Sequence, residues 1–275
     1  TYDKALTEAQ KQNQSKMNTK AMIAADNVAI QGKNTNKLST ETSEISSTSA
    51  LNNTGTIWGN RQVVITTDQI NNATAALNKD GNIAPQATIL AGDLVYLNTT
   101  QYKTDSNGNY QLDPNGQRIP LSTGQVNNIS GMIGSFNQDS ATYISTGTLN
   151  NITNSQTEEY SFKDKRTEYE ELRTYLGTTS QIASNGNIII DAAEDINLIG
   201  SSILSKNNIQ IAANRNFNSS TVENYNRTYS KAEAKSLMSQ TTTINETSSL
   251  KNIKTNIYSN NNIDIIAGND IMSIG

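Results

Sequence analysis

The sequence Asn187-Ile188-Ile189-Ile190-Asp191-Ala192 occurs three times in this chain with small changes. It returns 21 residues later as Asn208-Ile209-Gln210-Ile211-Ala212-Ala213, and after a longer interval as Asn262-Ile263-Asp264-Ile265-Ile266-Ala267. Residues 187–200 and 262–275 match at 8 of 14 positions without gaps. Each copy alternates Ile with polar or small residues, which is typical of a short β-strand with one buried face. The repeats therefore predict short strands that stack on one another.

A second repeat is the triplet aliphatic-Asn-Asn. It occurs at Leu51-Asn52-Asn53, Ile70-Asn71-Asn72, Val126-Asn127-Asn128 and Leu149-Asn150-Asn151. The first two copies, like the last two, are separated by about 20 residues, and such units with Asn or Gly at the corners are typical of a parallel β-helix, a solenoid whose successive coils pair in parallel. The alternative is an antiparallel β-sandwich, although a sandwich does not require near-copies at a fixed offset.

The repeats also predict which side chains fill the interior. Alternate residues of a strand face the same side, so the Ile residues of the first repeat are expected in the core. These are Ile188, Ile190, Ile209, Ile211, Ile263 and Ile265. We expect Ile190, Ile211 and Ile265 to form one column. Stacked Asn amides can hydrogen-bond between strands, which predicts a ladder of Asn53, Asn72, Asn128 and Asn151; simple turn chemistry is the alternative.

The composition excludes several classes of protein. The 275 residues include 39 Asn, 28 Ser, 33 Thr and 30 Ile, but no Cys and no His. The absence of both residue types excludes disulfides, thiol nucleophiles and the Ser–His–Asp triad, and it removes the commonest zinc ligands. A formal net charge of −4 argues against nucleic-acid binding. No cofactor is expected, and no apolar run approaches the roughly 18 residues of a membrane-spanning helix.

Three segments interrupt the repeats. Residues 99–122 carry two Asp-x-Asn-Gly turn signals, which indicate a hairpin excursion. Residues 155–180 are charged and Tyr-rich, and residues 217–252 are rich in Ser and Thr. A lateral β-hairpin is favoured for these inserts, although residues 165–176 also fit a short helix. The interruptions divide the chain into a leading segment or excursion (1–20), a first repeat region (21–154) and a second repeat type (155–275).

The inserts are also the predicted contact surfaces, because excursions from a rigid scaffold commonly carry recognition. Their tyrosines suit contacts with protein or sugar. The candidates are Tyr110, Tyr160, Tyr169, Tyr225 and Tyr229. The alternative is that the inserts only cover the side of the fold.

Taken together, the repeats resemble those of a known family. The pattern Asn-Ile-x-Ile-x-Ala-x-x-Asp-Ile-x-x-x-Gly-Ser, followed by Ile-x-Ser-x-x-Asn-Ile, is similar to the haemagglutinin repeats of filamentous haemagglutinins and of contact-dependent growth inhibition exoproteins. The Leu-Asn-Asn-Thr-Gly-Thr-Ile-Trp-Gly unit at 51–59 resembles the other repeat type of these proteins. The resemblance covers most of residues 20–275.

The resemblance implies an all-β, right-handed parallel β-helix that forms part of a very large Gram-negative exoprotein. Such a protein is secreted through an outer-membrane partner in a two-partner system and is exposed at the cell surface. The chain is then expected to be a fragment shaped as a monomeric rod, with no nucleic-acid partner. Its partners would be the outer-membrane transporter during secretion and a receptor or the outer membrane of a target cell. The implied role is adhesion or contact-dependent toxin delivery, without catalysis.

Two rival functions share the predicted fold. A polysaccharide-processing enzyme would need paired carboxylates across a cleft. The acidic candidates are Asp191, Glu194, Asp195, Asp264 and Asp270. They fall at turn positions of the repeat itself, which favours a solvated or capping role. A phage tail-spike domain is the second rival, and its trimeric state would distinguish it from a monomeric rod.

Overall fold

The computed structural model describes residues 22–32, 49–78, 82–83, 85–114, 116 and 118–274. The predicted leading segment, residues 1–20, lies outside the described residues. Within them the chain is all-β, with 25 strands and no helix. The strands form one large parallel sheet, a smaller parallel sheet, and two antiparallel sheets made from the inserts.

The main sheet contains twelve strands. They are β1 (Met22–Gln31), β3 (Thr56–Thr66), β5 (Thr88–Ala91), β6 (Leu94–Asn98), β10 (Met132–Ser135), β11 (Ala141–Thr146), β15 (Gln181–Ser184), β16 (Asn187–Ala192), β18 (Ser202–Ser205), β19 (Ile209–Ala213), β23 (Asn256–Ser259) and β24 (Ile263–Ala267). The second parallel sheet has seven strands. They are β2 (Ala50–Asn53), β4 (Gln69–Ala73), β9 (Gln125–Ile129), β12 (Thr148–Ile152), β17 (Ile196–Ile199), β20 (Phe217–Ser220) and β25 (Ile271–Ile274).

The main sheet is a nearly closed barrel of parallel strands. Eleven strands follow the order β23-β18-β15-β10-β5-β3-β6-β11-β16-β19-β24, and β1 pairs with β3 beside this path. The two strands at the ends of the order, β23 and β24, are consecutive in the chain. The predicted fold class, a right-handed parallel β-helix of about 20-residue coils, is therefore wrong, although the all-β content and the parallel pairing are present.

Strand β3 explains why the expected coils are not separate units. Its first part pairs with β5, as Ile57 does with Ile89, and its second part pairs with β6, as Ile65 does with Leu97. One long strand thus joins two sets of strands into a single sheet. The spacing of register partners is also irregular: Ser135 and Ser184 are 49 residues apart, whereas Ile188 and Ile209 are 21 apart. A fixed period of about 20 residues describes only some of the units.

The main sheet and the seven-stranded sheet share one core. Alternate residues of each strand point into it, as the buried and half-buried residues of β16 show. Both sheets contribute to one cluster of buried aliphatic residues, with Ile65, Leu97 and Ile190 from the main sheet and Val126 and Leu149 from the other. The β-branched and Leu side chains of one strand pack against the equivalent side chains of the neighbouring parallel strands. Each strand therefore extends the same core.

The inserts form antiparallel sheets at the side of this body. The first hairpin pairs β7 (Thr100–Tyr102) with β8 (Pro120–Thr123). The second joins β13 (Ser155–Lys163) to β14 (Thr167–Leu176), so residues 165–176 do not form the alternative short helix. The third joins β21 (Val222–Lys235) to β22 (Gln240–Ile253). Strand β14 also pairs with β21, which makes one four-stranded sheet in the order β13-β14-β21-β22, called here the insert sheet.

The second and third hairpins meet because they leave the body at equivalent corners. Each starts after a strand of the seven-stranded sheet, β12 or β20, and returns to the main sheet at β15 or β23. Between them, β17 is joined to β18 by only Gly200 and Ser201. Gly200 has φ +53, and a Cβ there would lie 2.3 Å from Val222 Cγ1, so this tight turn requires glycine. Neighbouring strands of a sheet lie about 4.8 Å apart. Because the β17–β18 connection is a tight turn and carries no hairpin, it leaves a space of about that width in which the second and third hairpins can pair with each other.

Candidate functional site

The predicted core residues lie where the alternation placed them, except at the last strand. Ile188 and Ile209 are fully buried, and Ile190 and Ile211 are 1% and 2% exposed. Ile190 faces Ile211, which faces Ile265, so the three form the predicted column. Ile265 packs against the core as a half-buried residue. Ile263 is 45% exposed because β24 is the end strand of the sheet.

The predicted Asn ladder is present. Asn53 Nδ2 donates to Asn72 Oδ1 at 2.7 Å, Asn72 Nδ2 donates to Asn128 Oδ1 at 2.8 Å, and Asn128 Nδ2 donates to Asn151 Oδ1 at 2.8 Å. All four side chains are buried. The ladder ends at Asn151 because its next register partner is Leu198. Plain turn chemistry is therefore not the whole explanation of the Asn pairs.

The same amides also connect the two parallel sheets. Asn53 Nδ2 donates to the Thr88 carbonyl of the main sheet at 3.0 Å, and Asn128 Nδ2 donates to the Gln181 carbonyl at 3.0 Å. A buried amide with unmet donors would be costly. Here each one bonds both along the ladder and across a corner, so the Asn column stabilises the junction between the sheets.

A second Asn ladder was not anticipated by the sequence analysis. It runs along the outer side of the seven-stranded sheet with Nδ2–Oδ1 distances of 2.7–2.9 Å. Its members are Asn52, Asn71, Asn127, Asn150, Asn197 and Asn218. Aligning the first Asn of each triplet with Ile196-Asn197 and Phe217-Asn218 would have revealed it.

The insert sheet brings four of the five candidate tyrosines together but separates them onto opposite faces. Residues directly opposite in an antiparallel pair share a face. Tyr160 lies opposite Glu171, and Phe162 lies opposite Tyr169, which puts these aromatic residues on one face. The Tyr160 and Tyr169 rings are 6.0 Å apart. Tyr160 and Phe162 are 59% and 47% exposed.

The opposite face of the insert sheet carries the other two candidates. Tyr225 lies opposite Leu250, and Tyr229 lies opposite Glu246. Arg227, between the tyrosines, contacts two carboxylates: its Nε is 2.8 Å from Glu246 Oε1 and its Nη1 is 3.6 Å from Glu170 Oε2. Exposed ion pairs of this kind contribute little to stability. The features that distinguish this face are therefore its aromatic and aliphatic side chains. Leu250 is 59% exposed.

Hydrogen bonding perturbs one tyrosine of the insert sheet. Tyr169 Oη donates to Glu171 Oε2 at 3.0 Å. This hydrogen bond raises the pKa of Tyr169, because loss of the proton would place two negative oxygens together. The same carboxylate contacts Arg173. Tyr169 therefore stays protonated and presents its ring, while Tyr160 beside it is open to solvent.

The fifth candidate tyrosine, Tyr110, lies in the first hairpin and belongs to a different cluster. Its ring meets that of Tyr102 edge-on at 5.9 Å, and Arg118 Cζ lies 4.4 Å from its centroid. Arg118 is also 5.7 Å from the Tyr102 ring. Such cation–π contacts hold the guanidinium in one place. Beneath the hairpin, Tyr96 and Tyr143 stack at 5.2 Å with their planes 2° apart.

A groove of about 270 Å³ lies between this hairpin and the outer face of the main sheet. Tyr102, Arg118 and Asp191 bring polar groups to it, and Ala212 and Ile266 line its other side. Burial raises the pKa of the Asp191 carboxyl, and the charge of Arg118 partly offsets this. Burial, and then the charge of Asp191, raise the pKa of Tyr102 to about 12, although a hydrogen bond with Ser145 acts in the opposite direction. Asp191 was predicted from the sequence only as an acidic candidate, and its grouping with Tyr102 and Arg118 was not predicted.

The other acidic candidates do not join Asp191. Arg215 Nη2 lies 3.3 Å from Glu194 Oε2 and 2.7 Å from Asp195 Oδ2, so these two carboxylates form one ion-paired group. Asp195 Oδ1 also accepts from the Asn216 amide at 3.1 Å. Asp264 lies on the outer face opposite Gln210. Asp195 therefore has the capping role that the repeated spacing suggested, and Asp264 is exposed to solvent.

In the described ranges no group of three or more acidic side chains is arranged to hold a metal ion. The described part of the chain also contains no helix of the length and hydrophobicity needed to cross a bilayer.

No protein-family model, curated protein or solved structure matches this chain.

Proposed function

We propose that this chain is a scaffold segment of a large exoprotein on the surface of a Gram-negative bacterium. In this proposal the segment serves adhesion or contact-dependent delivery of a toxin to neighbouring bacteria, and it catalyses no reaction. The parent protein would cross the outer membrane through a two-partner transporter. The target would be a receptor or the outer membrane of another cell.

The observation that carries the proposal is the position of the insert sheet. Two hairpins from separate parts of the chain pair through β14 and β21 and stand at one corner of a body that is locked by Asn ladders. Large side chains are exposed on both of its faces, including Tyr160, Phe162, Ile244 and Leu250. Exposed aromatic residues on a rigid support are typical of contact surfaces.

The resemblance of the repeats to haemagglutinin repeats supports the same proposal from the sequence. Copies such as 187–192, 208–213 and 262–267 lie in register on neighbouring strands. Selection for a repeated scaffold explains why such copies keep Ile and Asn at fixed places. The ion-paired state of Glu194 and Asp195 supports the absence of a catalytic role for them.

Surface exposure can be tested directly in the bacterium that makes the protein. Antibodies raised against this chain should label intact cells, and proteinase treatment of intact cells should remove the signal. Labelling that appears only after the cells are permeabilised would contradict the proposal. A periplasmic protein serves as the control for intact outer membranes.

The role of the insert sheet needs a second experiment. The double variant Tyr160→Thr/Phe162→Thr in the parent protein should reduce attachment to target cells, or killing of them, at least about tenfold, since hot-spot aromatic residues contribute several kcal/mol. The comparison variant is Ile244→Thr/Leu250→Thr, which removes two exposed apolar side chains from the opposite face, and a loss of attachment or killing in only one of the two variants assigns the contact to that face. Unchanged attachment and killing in both double variants would exclude the insert sheet as the contact surface.

A further inference from the structure

We propose that the groove between the first hairpin and strands β16, β19 and β24 is a binding site for a neutral sugar ring. The site consists of Tyr102 and Arg118 on the hairpin side, Asp191 and Ala212 on the floor, and Ile266 on the far wall. This inference does not rest on the proposed function, which depends on the insert sheet at another part of the molecule.

The geometry of the groove follows from the register of the main sheet. Ser145, Asp191, Ala212 and Ile266 are register partners on successive strands, so their side chains form one line on the outer face. Tyr102 of the hairpin hydrogen-bonds to Ser145 and therefore covers one end of this line. Beyond Tyr102 the line continues with the carboxylate of Asp191, the exposed methyl group of Ala212 and the exposed side chain of Ile266. The result is a flat floor with one aromatic wall and one aliphatic wall.

The polar groups of the groove select the chemistry of the ligand. Arg118 can only donate hydrogen bonds, and an ionised Asp191 can only accept them. Among the described residues no hydrogen bond or ion pair reaches the side-chain carboxylate of Asp191, and Arg118 is fixed by its contacts with Tyr102 and Tyr110. A sugar hydroxyl both donates and accepts, so adjacent hydroxyls of one ring can satisfy both groups. Burial of Asp191 raises the pKa of its carboxyl, and a ligand hydroxyl could donate a hydrogen bond to that carboxylate.

Charge and size narrow the ligand further. The groove holds one cation and one anion, so a ligand of either net charge would be attracted by one group and repelled by the other. Its volume of about 270 Å³ is just below the usual range for drug-sized ligands, which fits a single ring. The apolar surfaces of Ala212 and Ile266 suit the C–H face of a pyranose. These features together favour a neutral hexose within a chain over a peptide.

The experiment uses the full chain and a panel of neutral trisaccharides: maltotriose, cellotriose, mannotriose, galactotriose and N,N′,N″-triacetylchitotriose. Saturation-transfer difference NMR should detect binding of at least one of them. Ala212→Phe fills the groove from an exposed position, and it should weaken that binding by about tenfold or more. Gln210→Phe places the same side chain on the neighbouring outward line of β19, outside the groove, and should leave the affinity within about twofold.

A second pair of variants tests the polar contact. Asp191→Asn should weaken the binding, whereas Asp264→Asn, on the same face but outside the groove, should not. No transfer to any of the five sugars would overturn the proposal, and so would transfer that survives Ala212→Phe. Binding of a zwitterionic dipeptide such as glycylglycine in place of the sugars would also overturn it. Circular dichroism of each variant checks that the fold is intact.

Discussion

At the residue scale, two side-chain types, Ile and Asn, hold this molecule together. Ile residues meet their copies on neighbouring strands inside the core, while Asn residues bond to their copies at the corners. Both features were predictable from the sequence because each depends on one strand and its nearest repeat. The outer Asn ladder was missed because Asn197 and Asn218 do not belong to Asn pairs.

The column of Ile residues predicts a large cost for a polar substitution. Ile211→Asn should lower the free energy of unfolding by about 3 kcal/mol, because it removes a buried aliphatic side chain and buries an amide without a partner. Thermal unfolding followed by circular dichroism measures the change. Gln210→Asn, on the exposed side of the same strand, is the control and should melt with the parent. Equal melting of Ile211→Asn and the parent would mean that this side chain does not face the core.

The two Asn ladders should contribute unequally to the free energy of unfolding. Asn128→Ala removes a buried residue that bonds to Asn72, Asn151 and the Gln181 carbonyl, so a loss of about 2–3 kcal/mol is expected. Asn127→Ala removes the neighbouring rung of the outer ladder, where water can replace the lost bonds, and it should cost less than about 1 kcal/mol. Chemical denaturation of both variants gives the comparison. A larger loss of stability for Asn127→Ala than for Asn128→Ala would contradict the prediction that the buried ladder contributes more.

Asp191 gives a pH-dependent prediction with a definite sign. Its pKa is raised in the folded protein by burial, so the ionised form carries a penalty that is present above the folded pKa and disappears as the pH falls through that value towards the unfolded pKa of about 3.9. Asp191→Asn should therefore raise the melting temperature at pH 7, and the gain should vanish near pH 3. A variant that melts below the parent at pH 7 would show that the carboxylate stabilises the fold.

At the element scale, the hairpins were predictable from local sequence, but their association was not. Turn signals such as Asp105-Ser106-Asn107-Gly108 identify a hairpin by themselves. The pairing of β14 with β21 joins segments about 60 residues apart, and no local pattern encodes such a contact. It depends on two hairpins leaving equivalent corners on either side of the Gly200 turn. The division between repeat regions near residue 155 remains a prediction.

The backbone amides of the insert sheet should also be less protected from hydrogen exchange than those of the two parallel sheets. Every residue of β22 except Ile253 is exposed, and in the described structure β22 is an end strand. Local opening there disrupts few buried contacts, whereas opening of β16 disrupts the core. Hydrogen exchange with mass spectrometry should show that peptides covering 240–253 exchange far faster than peptides covering 187–192. Similar protection of the two segments would mean that the insert sheet is covered by another part of the chain.

At the scale of the whole molecule, the sequence predicted strand content and parallel pairing but not how the strands close. The repeats carry the register of neighbours, such as Ile190 with Ile211. They do not show that β3 would pair with both β5 and β6 and so join two sets of strands into one nearly closed sheet. The groove beside the first hairpin was hidden for a similar reason, because Tyr102 and Asp191 are brought together only when the sheet is complete.

The central structural claim is that the repeats lie in register on neighbouring strands, with the third hairpin inserted in the chain between β20 and β23. A disulfide tests it most directly, because the chain has no cysteine of its own. Gln210 and Asp264 are register partners on the outer face, although the whole third hairpin separates them along the chain. In the double variant Gln210→Cys/Asp264→Cys their Cα atoms should lie within the roughly 4.4–6.8 Å that a disulfide needs. Air oxidation should close the loop and increase mobility on a non-reducing gel.

The matched control is Gln210→Cys/Ile266→Cys, in which the second cysteine is displaced by two residues along β24. That displacement adds about 6.6 Å along the strand and moves the pair beyond disulfide reach. We predict rapid, complete disulfide formation for the first pair and little for the second. Equal closure of the two pairs, or faster closure of the displaced pair, would contradict the register on which the core, the Asn ladders and the groove all depend.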